Sequence, residues 1–67
     1  MATTSMTTGE KVRAARVAAG LSQRVLGERC GMCQEGLSAL ENDHIEPRLK
    51  TLRKIAKALG IDVKELV

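Results

Sequence analysis

A chain of 67 residues holds one small domain, burying only about 60% of its unfolded surface, and without Phe, Trp or Tyr its core must come from Leu, Ile, Val, Met and Ala. Eleven Lys and Arg against eight Asp and Glu give a net charge of +3, which permits a nucleic-acid partner without requiring one. No apolar run approaches the ~20 residues of a membrane span, and MATTSM lacks the charged and apolar regions of a signal peptide, so a membrane partner is not expected and the cytoplasm is the expected location.

Residues 1–6 are small and polar apart from their methionines and read as a disordered tail ahead of a domain over residues 7–67. The first helix starts at Thr7 or Thr8, since Thr7 and Glu10 have the spacing of a capping box. Val12, Ala15, Val17 or Ala18, and Ala19 supply its apolar side, and Gly20 ends it. Ser22 is a good N-cap for a second helix over roughly 22–29, with Val25 and Leu26 apolar and Cys30 one turn on. Gly31 can adopt the left-handed backbone of a tight turn. A third helix over about 33–41 places Leu37 and Leu40 on one face. Residues 42–47, NDHIEP, read as a loop. Leu49, Leu52, Ile55, Ala56 and Leu59 repeat with helical period through a fourth helix over about 48–59, which Gly60 stops. Asp62 can cap a last short helix running through Leu66. No run alternates as a strand does, so the expected fold is all-α, five helices with short connections.

The stretch SQRVLGERCGMCQEGLSALEN joins two short helices through a tight turn, a helix-turn-helix. It resembles the Cro and C1 type of phage repressor, the XRE-like family, and the resemblance runs collinearly over residues 9–67. GEKVRAARVAAGLSQ is similar to that family's first helix and entry to the second, GLSALEN to the end of its recognition helix, and LKTLRKIAKALGIDVKEL to its last two helices. The resemblance implies a compact five-helix bundle of the lambda-repressor-like DNA-binding type.

In such a module the first helix of the pair crosses the DNA backbone, and the second enters the major groove with its N-terminal residues toward base edges. Gln23 falls at the N-terminus of the second helix, where the family places a phosphate-contacting glutamine, and Arg24 adds charge beside it. With Leu37 and Leu40 facing the core, Gln34, Glu35, Ser38 and Ala39 face outward. Gln34 is the strongest candidate base reader, because an amide can bond bidentately to adenine. Asn42 and His44 in the loop, with Arg48 and Lys50 at the start of helix 4, complete the candidate DNA contacts. The resemblance also implies that Arg16 and Glu41 form a pair fixing the recognition helix.

Several positions depart from the family pattern. Cys33–Pro47 carries Glu35, Glu41, Asp43 and Glu46 but no Lys or Arg, where basic residues are common. Such acids oppose binding to a polyanion. Gly36 lies inside the recognition helix, Ala39 is truncated where a long polar reader is common, and Val25 stands where a capping glutamate is frequent.

Cys30 and Cys33 form a C-x-x-C pair, readable as a redox switch or half of an intersubunit metal site. A small core residue at Cys30 and an N-cap at Cys33 fit the helical pattern better. With one histidine the two thiols cannot complete a zinc site, so no metal or cofactor is expected. His44, the lone histidine, has no nucleophile spaced to use it, and no catalytic constellation emerges.

Two functions from different classes remain. One is a sequence-specific regulator of transcription that binds double-stranded DNA, as a homodimer joined near Val63 and Val67. The other is a protein-interaction module, an antitoxin or accessory factor, that turns the acidic face toward a protein.

Overall fold

The first three helices each begin where a side chain satisfies backbone N–H groups that the helix leaves unpaired. The computed structural model describes residues 6–67. The tail expected over 1–6 therefore lies, for residues 1–5, outside the described residues. α1, Thr8–Ala18, opens with the expected capping box: Glu10 N donates to Thr7 Oγ1 at 3.2 Å, and Thr7 N donates to Glu10 Oε1 at 2.8 Å. α2, Gln23–Cys30, starts on Ser22, whose hydroxyl accepts from Val25 N at 3.1 Å. α3, Gln34–Glu41, starts on Cys33, whose Sγ accepts from Gly36 N at 3.3 Å. α4, Leu49–Leu59, follows Arg48 without a side-chain cap and ends on left-handed Gly60.

The described residues hold these four α-helices and one 3-10 turn, Val63–Glu65, and no strand. The fifth helix expected after Asp62 is thus a single turn. Asp62 does cap it, accepting from Lys64 N at 3.0 Å, but only three residues separate the cap from the point where Leu66 must turn inward.

Val12 of α1, Leu26 and Cys30 of α2, Leu37 and Leu40 of α3, Leu52, Ile55 and Ala56 of α4 and the terminal Leu66 form the core. Aliphatic residues fill it without an aromatic, as the composition requires. Leu66 is fully buried, so the segment after α4 closes the bundle. Four apolar assignments do not hold. Val17 and Ala18 at the end of α1 and Ala19 just after it are all exposed, and Leu49, in the first turn of α4, lies at the open end of that helix with half its surface in water. Val63 packs against the core, which removes it from the pair expected to be free for a dimer, whereas Val67 is exposed. No helix among the described residues is long and apolar enough to cross a membrane.

Candidate nucleic-acid interface

The turn between α2 and α3 is set by two glycines. Gly31 takes the left-handed conformation, φ 75°, and lets Met32 N reach Gly27 O at 2.8 Å. A Cβ on Gly27 would sit 2.6 Å from Met32 O, so the chain leaving the turn crosses α2 closer than any side chain permits. The sequence pattern points to Gly31 but not to Gly27, whose only signal is a glycine in mid-helix.

α3 lies across this turn with Leu37 and Leu40 fully buried, and its opposite side turns outward. Gln34 and Glu35 are exposed, and Ser38 and Ala39 are half-buried. Gln34, Glu35 and Ser38 line one shallow concavity together with Gln23 from the start of α2. The two helices of the motif thus contribute to a single polar surface.

That surface is braced from beneath. Arg16 Nε donates to Glu41 Oε2 at 2.7 Å, its Nη2 to Glu41 Oε1 at 3.2 Å, and its Nη1 to Leu21 O at 2.8 Å. The side chains are 12% and 2% exposed, so both charges are withdrawn from water and compensate one another. Gln23 Nε2 also donates to Glu41 Oε1, at 3.1 Å. The candidate phosphate contact is therefore oriented by the same carboxylate that closes the pair.

The remaining candidates spread around this centre. Asn42 Nδ2 donates to Ser38 O at 2.9 Å and to Ser38 Oγ at 3.5 Å, so its amide finishes α3. Arg24, His44, Arg48 and Lys50 are exposed, on α2, in the loop, at the N-cap of α4 and in its first turn respectively. His44 N donates to Ala39 O at 2.9 Å, which folds the loop back on the end of α3.

The acidic character of this segment is weaker than its composition suggests. Glu41 is consumed by Arg16. Asp43 Oδ1 accepts from Gly9 N at 3.2 Å and its Oδ2 from Thr7 Oγ1 at 2.7 Å, which places its carboxylate at the positive end of α1. It does so from a left-handed backbone, φ 60°, tolerable for Asp. Gly9 leaves it room, since a Cβ there would fall on the carbonyl oxygens of Leu40 and Glu41. Asp43 thus ties α1 to the end of α3 and is not a free acid of the loop, a correction to the sequence reading. Glu35 and Glu46 remain exposed.

The C-x-x-C residues have separate local tasks. Cys30 is buried in the core and desolvation pushes its thiol pKa up, while Cys33 is the exposed N-cap of α3.

A family profile described as Helix-turn-helix matches residues 12–66. The chain belongs to the helix-turn-helix family, of the Cro and C1 type. Over 62 residues this helix-turn-helix chain is 37% identical to the immunity repressor protein of Bacillus phage phi105, covering 92% of the chain and 43% of that relative. Over 57 residues it is 33% identical to the HTH-type transcriptional regulator PuuR of Escherichia coli strain K12, covering 85% of the chain and 31% of the relative. The chain thus spans less than half the length of either. Among solved structures, the P22 c2 repressor in complex with synthetic operator 9T superposes with a TM-score of 0.85 at 28% identity, covering 94% of this chain and 96% of that one. The restriction-modification controller protein C.AhdI of Aeromonas hydrophila gives a TM-score of 0.86 at 32% identity, covering 90% and 87%.

Proposed function

We propose that the domain of residues 7–67 is a sequence-specific, DNA-binding regulator of transcription that lays α3 in the major groove of double-stranded DNA. The observation that carries this reading is the division of α3 into a buried side, Leu37 and Leu40, and an outward side, Gln34, Glu35 and Ser38, which shares its concavity with Gln23. A short helix held rigidly with polar side chains outward is what groove recognition requires. Relatives described as a repressor and a transcriptional regulator, and a similar repressor solved on its operator, support it.

Gln34 reads a base, Ser38 and Ala39 follow along the groove, and Gln23, Arg24, Asn42, His44, Arg48 and Lys50 position the protein on phosphates. The protein works in the cytoplasm as a homodimer, engaging half-sites about one helical turn apart. Exposed Val67 supports a contact between copies.

Binding to bulk duplex DNA, followed by fluorescence anisotropy across a salt series, tests the reading. The logarithm of affinity should fall with the logarithm of salt concentration with a slope of about −0.9 per phosphate contact. Absence of binding at low salt overturns the reading and favours a protein partner for the same face.

A further inference from the structure

The outward side of α3 offers uncharged groups and one negative charge. Glu35 is the second residue of α3 and is exposed beside Gln34 in the concavity they share with Gln23 and Ser38. Its carboxylate has neither an ion-pair partner nor a hydrogen bond among the described residues, whereas Glu41 and Asp43 are both engaged. It is not needed as a helix cap either, because Cys33 Sγ already takes the Gly36 N–H. No Lys or Arg lies between Cys33 and Pro47 to offset it or to read guanine.

We infer that Glu35 is a specificity-determining residue that restricts the base it faces to cytosine. The inference rests on α3 lying in the major groove. An ionised carboxylate only accepts hydrogen bonds. In the major groove guanine presents N7 and O6 and thymine presents O4, all acceptors, so either base meets Glu35 lone pair to lone pair. Cytosine presents the N4 amino group as its hydrogen-bonding group, a donor. Adenine has a donor at N6 with an acceptor at N7 next to it, so one carboxylate oxygen is satisfied while the other is opposed. Cytosine is therefore preferred, adenine tolerated, and guanine and thymine rejected. Selectivity arises as much from what Glu35 repels as from what it binds.

Selecting sites from a random duplex pool with the wild-type protein, Glu35→Gln and Glu35→Arg tests this. The side chain is exposed, so both variants should keep the wild-type circular dichroism. One position of the selected site should change between the proteins: cytosine for wild type, adenine for Glu35→Gln and guanine for Glu35→Arg, with the other positions unchanged. Replacing that cytosine by guanine should weaken wild-type binding about tenfold to a hundredfold and strengthen binding of Glu35→Arg. Guanine or thymine at that position in wild-type sites, or the same sites selected by all three proteins, overturns the inference and leaves DNA binding intact. Failure of the wild type to enrich any duplex at low salt overturns the DNA-binding reading and the inference with it.

Discussion

The side-chain amide of Gln23 donates to Glu41 Oε1 at 3.1 Å, tying the first residue of α2 to the last residue of α3. The same carboxylate receives two hydrogen bonds from the Arg16 guanidinium. Three helices therefore meet on one buried acid. Glu41→Ala should destabilise the fold by up to about 3–5 kcal/mol, because it strands the Arg16 charge inside the protein. Arg16→Ala should cost a similar amount, and the double variant less than the sum of the two. Thermal denaturation of the three proteins checks this. An unchanged melting temperature for Glu41→Ala, with additive single effects, contradicts the bracing role.

Gln34 is exposed at the first position of α3. Gln34→Ala should weaken binding to the preferred DNA site by about 1–3 kcal/mol and relax the preference at one base. Titration of the variant against the preferred site and against single-base variants of it makes the comparison. A uniform loss on every sequence would show that Gln34 positions the protein and does not read it.

The two loop acids should behave differently when changed. Asp43 holds Thr7 and Gly9 from a left-handed backbone, so Asp43→Ala loses both contacts and leaves alanine in a strained conformation, at a cost of about 1–3 kcal/mol. Asp43→Asn keeps the backbone tolerance and should recover part of the loss. Glu46 is exposed and unpaired among the described residues, so Glu46→Lys should leave the melting temperature unchanged. One new phosphate contact should steepen the salt dependence of DNA binding by about 0.9. Equal melting temperatures for Asp43→Ala and the wild type would contradict the first half, and a flat salt response in Glu46→Lys the second.

These contrasts mark what a linear chain discloses. Thr7, Ser22 and Cys33 lie next to the helices they cap, and the apolar period and Gly60 mark α4, so α1 to α4 are legible to within a residue or two. The outward set Gln34, Glu35, Ser38 and Ala39 follows from Leu37 and Leu40 alone, with Ser38 and Ala39 half-buried. The Arg16–Glu41 pair joins residues 25 positions apart, and it was visible because the family resemblance carried it. Asp43 with Gly9, 34 positions apart, and Gln23 with Glu41, 18 apart, had no such carrier. Local patterning also cannot show that Leu49 sits at an open helix end or that Val63 faces inward.

The two thiols should differ sharply in reactivity. Cys33 is exposed and Cys30 buried, so a disulfide exchange reagent at neutral pH should modify Cys33 rapidly and Cys30 only on unfolding. Burial raises the Cys30 pKa above 9.0. Below that value both folded and unfolded chains keep the proton, and the stability linked to it is fully present. As pH rises further the unfolded chain loses its proton first, and stability falls through the folded pKa. Denaturant unfolding at stepped alkaline pH should show this decline in the wild type and less of it in Cys30→Ala. Equal modification rates for both thiols in the folded protein would contradict the assigned burial.

The proposed DNA-facing surface is the start of α2, the outward side of α3 and the loop after it. Titrating duplex DNA into isotopically labelled protein and following the backbone amide resonances tests this assignment. The largest shifts should fall at Gln23, Arg24, Gln34, Glu35, Ser38 and His44, with small changes along the exposed side of α1. Shifts concentrated on α1 or the C-terminal half of α4, with the α3 resonances unmoved, would contradict it.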